Sequence, residues 1–275
     1  MKQFIINDAL NNEIHTYVYP TDKTPKGVIQ IIHGASEHFA RYGLFASYLN
    51  KHGYIVVGND ILGHGLSTKN YDYVHFADKQ GDAIAFNSIV LVKEWIQKEH
   101  PSLPLYILGH SMGSFLARKM VIEFPNDYDK AVFSGSAAPP KSLIHFGKVL
   151  TSIIRLFKGP RYVSKLIQDM SIDANQKKMR KDGIIQGDNE AWLTRDKKIQ
   201  EYYKHSQMCG QPFTVQANHD MFQWILDANK MNRLKKANHH QPILFISGSH
   251  DALSNYGQQI KAFVEKLNKI GYEHV

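Results

Sequence analysis

The sequence predicts an α/β protein: a mostly parallel sheet flanked by helices, with a helical insertion over one end. Three observations predict it. Short, β-branched apolar runs alternate with amphipathic stretches at the spacing of βαβ units. That alternation stops between 139 and about 236, where helical patterns follow one another with no strand run. It resumes at Pro242. A length of 275 residues, 43% hydrophobic and 21% charged, suits one such core with an insertion.

The elements read in order as follows. "KQFIIN" (2–7) and "EIHTYVY" (13–19) flank "DALNN" and form an antiparallel hairpin. "GVIQIIHG" (27–34) is a short apolar run, hence a buried strand. Phe39, Tyr42, Phe45 and Leu49 have helical spacing, and Gly53 ends the pattern. "YIVVGND" (54–60) is a strand, "ILGHGLS" a loop, and 82–99 a long helix. A strand at 103–109, a helix at 112–124 and a strand at 130–135 follow. Then come candidate helices near 142–157, 162–169, 189–203 and 219–235, a last clear strand at 242–248 and a last helix at 256–269. The division expected is a core of residues 1–138 and 237–275, with 139–236 as a helical cap, or lid.

Composition excludes several classes. No apolar run approaches the length of a membrane-crossing helix, and the N-terminus lacks a long apolar segment and cleavage site. Cys209 is alone, which rules out an internal disulfide framework and fits a reducing cytoplasm. The net charge is +8, but residues 140–236 carry 18 Lys/Arg against 9 Asp/Glu, and the rest carry 15 against 16. The positive excess therefore lies in the insertion. It reads as a solvated basic surface or as attraction to anionic lipid, where each basic group adds roughly 1 kcal/mol. No recognition motif or dense basic run points to nucleic acid. The expected location is cytoplasmic, with peripheral contact at a membrane.

Gly109-His110-Ser111-Met112-Gly113 matches G-x-S-x-G after a strand and before a helix, the context of a nucleophile elbow. The turn is sharp, so its flanking residues must let two backbones approach closely. Ser111 then projects at a helix N-terminus that favours negative charge. An oxyanion hole needs two donors. The expected ones are the amide of Met112 and that of Ala35, in the loop after the 27–34 strand. His33 is expected to pack rather than move a proton, and Asp60 with "GHG" (63–65) to shape a loop. "HGASEH" fits no metal spacing, and no metal or other cofactor is expected. Asp251 ends a strand at the same edge and suits the acid that orients an imidazole, although a helix-capping role is open.

"HGASEHFARY", "DILGHGLS", "GHSMGS" and "FISGSHDAL", in this order, resemble the α/β-hydrolase fold. The resemblance is to its monoacylglycerol lipase and lysophospholipase-like branch, the hydrolase-4 or serine aminopeptidase S33 type, and it extends into "LTRD" (193–196) and "FTVQANHDMF" (213–222). It implies Ser111 as nucleophile, Ala35 and Met112 as oxyanion amides, Asp251 as acid, and a cap that binds an acyl chain.

In this fold the base follows the acid in the chain, and only His274 follows Asp251. "IGYEHV" reads as a turn entering a final strand, which puts His274 at the far edge, about 15–20 Å from Ser111 at 3.3 Å per strand residue. "GYEHV" resembles the point where the family continues into its last strand and a loop bearing the catalytic histidine. The expectation is a C-terminally truncated hydrolase, or one that has lost its base, with truncation favoured because every other catalytic part remains. His38, His64, His110 and His219 are not expected to replace it. "LIHFGKVLTSIIRLF" (143–157) is either core-facing or lines an acyl tunnel and touches lipid, with Lys148, Arg155 and Lys158 toward headgroups. The leading function is a serine ester hydrolase acting on acyl glycerol or lysophospholipid esters through an acyl-enzyme, impaired here by the missing base. The alternatives are a short-peptide aminopeptidase and a non-catalytic hydrolase-fold protein that binds lipid or a partner.

Overall fold

A computed structural model describes residues 1–187 and 189–275. Seven strands form one sheet in the order β1-β2-β4-β3-β5-β6-β7. The strands are β1 (Lys2–Asn7), β2 (Glu13–Tyr19), β3 (Gly27–Ile32), β4 (Tyr54–Asn59), β5 (Leu105–His110), β6 (Lys130–Ser134) and β7 (Ile243–Ile246). The β1–β2 hairpin joins β4 antiparallel, and β4, β3, β5, β6 and β7 run parallel. The parallel strands must be covered on both faces, and α1 (Gly43–Lys51), α2 (Gly81–Glu99), α3 (Met112–Glu123) and α10 (Gln258–Lys269) supply the cover. Because the strands are parallel, the loops after β3, β5, β6 and β7 all emerge at one edge.

Between β6 and β7 lie α4 (Lys141–Lys158), α5 (Lys165–Met170), α6 (Ile172–Lys181), α7 (Lys197–His205), α8 (Val215–Ala228) and α9 (Met231–Leu234). Side-chain caps fix several starts and explain departures from the sequence reading. Thr214 Oγ1 accepts the Ala217 amide, so α8 begins at Val215 rather than 219. Asp196 accepts the amides of Lys198 and Ile199, so α7 begins at Lys197, and only a 3-10 turn covers Asn189–Trp192. The helix expected over 162–169 starts at Lys165, behind the Ser164 cap. α6 was not foreseen because "DANQKKMRK" has almost no apolar periodicity. The strand read over 242–248 is confined to Ile243–Ile246, and the final strand expected from "IGYEHV" is absent; that segment passes beside β7, where the His274 carbonyl accepts the Ile243 amide at 2.8 Å.

The inserted helices share the core of the sheet. Phe213, Ala217, Trp224, Ile225 and Leu234 belong to the same apolar cluster as Ile32, Ile107, Leu116 and Phe133. Trp224 is fully buried, lies 4.9 Å from Phe76 and donates its Nε1–H to the Asp82 carbonyl. Burial of one such ring contributes about 3 kcal/mol or more, which holds α8 to the core.

Candidate active site

Ser111 stands between the end of β5 and the start of α3 with φ 52° and ψ −119°. An L-residue keeps such a conformation only where its surroundings force it. Here Ser111 N–H donates to the Ser134 carbonyl at 2.8 Å, and the Ser114 hydroxyl donates to the Ser111 carbonyl at 2.6 Å. The flanking glycines have no room to spare. A Cβ on Gly109 would lie 2.4 Å from the Gly113 carbonyl oxygen, and one on Gly113 would lie 2.2 Å from that of Ile32. This explains the glycine spacing of the motif, and it places Ser111 against the loop after β3.

That loop presents the Ala35 amide. Its neighbours are occupied: Gly34 N–H donates to Glu37 Oε1 at 2.5 Å and Ser36 N–H to His64 Nε2 at 3.1 Å. Among the described hydrogen bonds Ala35 N–H donates to none, and Met112 N–H opens α3, where no intrahelical acceptor exists. Two unclaimed amides thus accompany the serine.

Asp251 follows β7 at the same edge. Oδ1 accepts the Leu253 amide at 2.9 Å and caps a short 3-10 turn, so the capping reading holds for one oxygen. Oδ2 enters none of the described hydrogen bonds. Burial raises the carboxyl pKa, against the pull of the Leu253 amide and of nearby His110. His110, the residue before Ser111, has Nδ1 3.4 Å from Ser134 Oγ.

The remaining histidines are committed elsewhere. His33 is fully buried, donates Nδ1–H to the Gly34 carbonyl and accepts the Ile61 amide at Nε2; burial lowers its pKa. Asp60 takes Tyr17 O–H and the amides of Phe39 and Leu66, each at 2.8 Å, and so ties loops together. His38 meets Tyr202 O–H at 2.9 Å. His219, in α8, has its pKa pushed down to about 4 by burial and by Lys148 and Arg155. His274 lies beside the first residue of β7, at the opposite end of the sheet from Ser111. Among the described residues, then, no histidine after Asp251 stands at the serine edge.

Two buried charged residues, Glu37 and Arg118, were not singled out from the sequence. Glu37 is buried with its carboxylate shared among Gly34 N–H, Arg41 and Tyr42 O–H. Its i, i+4 pairing with Arg41 was a usable signal. Arg118 is buried in α3 and bridges both connections of the insertion: Ala137 O at 3.0 Å on the way out, Ala228 O at 3.0 Å and Asn229 Oδ1 at 2.8 Å on the way back. Burial lowers its pKa to about 9, which leaves it cationic at neutral pH. The headgroup-facing assignment of Lys148 and Arg155 is corrected. Lys148 Nζ donates to Gln223 and Arg155 to Gln216, both on α8, so these cations point inward.

Residues 23–271 match the family described as serine aminopeptidase, S33. A monoacylglycerol lipase of Mycolicibacterium smegmatis is 33% identical over 120 residues, 44% of this chain and 41% of that protein. A human monoglyceride lipase is 33% identical over 143 residues, 51% of this chain and 45% of that protein. The chain thus spans less than half the length of these curated relatives. A thermostable carboxyl esterase from Bacillus coagulans superposes with a TM-score of 0.81 at 18% identity, over 99% of this chain and 87% of that one. The superposition establishes the α/β-hydrolase fold.

Proposed function

The chain belongs to the serine aminopeptidase S33 family, and from that premise we propose that it is a serine hydrolase of carboxylic esters, with acyl glycerols or lysophospholipids as substrates. The observation that carries this reading is Ser111 at φ 52° beside two unclaimed amides. Ser111 Oγ attacks the ester carbonyl, and the Ala35 and Met112 amides take the oxyanion. The alcohol leaves with a proton, an acyl-enzyme remains, and water releases the fatty acid. Asp251 Oδ2 is free to accept an imidazole N–H. No described histidine after Asp251 occupies that place. The lipase relatives support the acyl-ester class.

Residues 139–236 act as the cap over a core of 1–138 and 237–275. On α4, Leu143, Phe146, Val149, Ile153, Leu156 and Phe157 are all exposed, Leu156 by 79%. This apolar face turns away from α8, with Lys141 and Lys158 at the ends of the helix. It rests against an anionic lipid surface, where acyl chains and basic groups both find partners. One observation, the remote position of His274, favours a second reading as a non-catalytic lipid-binding protein.

A fluorophosphonate probe followed by intact mass tests the proposal. We expect one probe per chain on Ser111, none on Ser111→Ala, and labelling at least about tenfold faster with added imidazole, an acceleration that Asp251→Asn diminishes. No labelling with or without imidazole, in a folded protein that carries fatty acid, establishes the binder instead.

A further inference from the structure

We propose that Ser36 is a positioning residue through which the inserted helices set the geometry of the oxyanion hole. The proposal rests on the reading of Ala35 as an oxyanion donor and goes beyond it to what holds that donor in place. Ser36 is buried and left-handed, with φ 53°, a conformation that disfavours any residue with a side chain. It is not a glycine, so the hydroxyl has a use. Ser36 O–H donates to the Gln211 carbonyl at 2.7 Å, and the Ser36 carbonyl accepts the Gly210 amide at 2.9 Å. Both partners lie in the turn between α7 and α8, some 175 residues downstream.

Three further contacts run in the same direction. His64, which accepts the Ser36 amide, packs edge-on against Phe213 at 5.8 Å, just before α8. His38 bonds Tyr202 of α7. Arg41 lies 5.2 Å over the ring of Tyr203. Every residue type of the loop from 36 to 41 that can reach the insertion with a polar or cationic group does so, except Glu37, which turns back to hold Gly34. The direction of the Ala35 amide is fixed by the two peptide planes around it. One carries the Gly34 amide, held by Glu37 from within the core, and the other carries the Ser36 amide, held by His64, which packs on Phe213; the 210–211 turn holds the Ser36 carbonyl and hydroxyl just beyond it.

The consequence is a coupling. With the 202–213 segment seated, Ser36 keeps its left-handed conformation and Ala35 N–H points into the site. When that segment shifts, Ser36 loses its Gln211 and Gly210 partners and His64 loses its packing on Phe213, so the Ala35 amide is held from the core side alone, by His33 at the Gly34 carbonyl and Glu37 at the Gly34 amide. The donor is therefore assembled when the insertion is closed over the site, so stabilisation of the oxyanion and enclosure of the substrate occur together.

The test perturbs each side and reads the other by amide hydrogen exchange, with the Ile6–Ile14 pair of the β1–β2 hairpin as a folding control. From the loop side, Ser36→Ala and Ser36→Gly both delete the hydroxyl, and glycine also removes the conformational strain. From the insertion side, Gly210→Ala strains the turn, since Gly210 has φ 78°. We expect exchange of the Gly210 amide to rise about fivefold or more in both Ser36 variants, the loss of one ordinary hydrogen bond. We expect the Ser36 amide to respond likewise in Gly210→Ala. Fluorophosphonate labelling of Ser111 should slow in Ser36→Gly even though its melting temperature does not fall. A hydroxyl that merely fills space predicts the reverse, a more stable glycine variant labelled at the parent rate, and that result overturns the proposal. So does an exchange rate on either side that stays within twofold of the parent. A parent chain that never labels at Ser111 refutes the hydrolase reading, while the exchange data still decide whether loop and insertion are coupled.

Discussion

Gly113→Ala is the sharpest probe of how the turn at Ser111 is built. The added Cβ would lie 2.2 Å from the Ile32 carbonyl oxygen and 2.4 Å from that of His33. Carbon and oxygen pack at about 3.3 Å or more, so each overlap is roughly 1 Å. Both obstacles are backbone atoms, and no side-chain rotation relieves them. The end of β3 and the start of α3 must separate. Forced overpacking of this kind costs about 1–3 kcal/mol, offset in part by the roughly 0.5–1 kcal/mol that alanine gains over glycine in a helix. At about 2–4 °C per kcal/mol for a chain of this size, the melting temperature should fall by several degrees. The same movement carries the 33–35 segment away from Ser111. A displacement near 1 Å at a reacting centre is worth about a hundredfold in rate. Circular dichroism on heating and the fluorophosphonate labelling rate, both with imidazole present, read the two effects. Gly248→Ala is the control: it lies on the same edge, its φ is not left-handed, and its nearest neighbour would be Asp251 Cβ at 3.8 Å. It should change the melting temperature little. If Gly113→Ala melts and labels like the parent, the close approach of β3 to α3 does not hold Ser111 in place.

Two further outcomes follow from the packing of α8 and α4. Asp220 is 2% exposed, its Oδ2 has no hydrogen-bond partner, and burial pushes its pKa up to about 7; the folded protein therefore binds a proton that the unfolded chain releases near pH 4, stability falls as pH rises from about 4 to 7 by up to roughly 4 kcal/mol, and Asp220→Asn should flatten the dependence of melting temperature on pH across that window and stabilise the protein at pH 8. Sedimentation with vesicles of phosphatidylglycerol and phosphatidylcholine should show binding that salt weakens and that Phe146→Ser with Phe157→Ser reduces at least about tenfold, since each exposed ring contributes on the order of 1–2 kcal/mol on insertion; equal binding by that variant excludes α4 as the contact.

What the sequence made legible follows from how local the signal is. The strand–glycine–serine–glycine–helix order at 105–123 is fixed by sterics within a few residues, and the structure places each of those elements within two residues of its reading. β1 and β2 were equally readable, because strand alternation and a polar turn sit side by side. Asp251 was legible as a strand-end acid, yet the division of its two oxygens between a cap and the site is a matter of rotamer, which spacing does not encode. The insertion was read as helical but its boundaries were not, because Thr214, Asp196 and Ser164 set them by capping. Arg118 carried no signal at all: a lone arginine in an apolar helix is buried here because four neutral oxygens and the Phe263 ring, from three distant segments, converge on it.

Lys148 and Arg155, whose direction the sequence left open, are instructive for the same reason. Helical periodicity places both beside the apolar stripe of α4, and nothing local says which side of that stripe meets the protein. The answer lies in α8, where Gln216 and Gln223 recur seven residues apart and each passes its own amide N–H to an acid four residues on, Asp220 and Asp227. Arg155 and Lys148 donate to those two glutamines, and Asp227 in turn receives Lys119 from α3. Polar rungs thus fasten α4 to α8 on its inner flank, and one of them reaches α3. With Lys148 and Arg155 drawn inward, the middle of α4 turns an apolar face to solvent, with Lys141 and Lys158 exposed at the helix ends. Phe146, Leu156 and Phe157 lie on the face opposite that fastening, and the rung through Asp227 joins α4, by way of α8, to α3, the helix that begins beside Ser111.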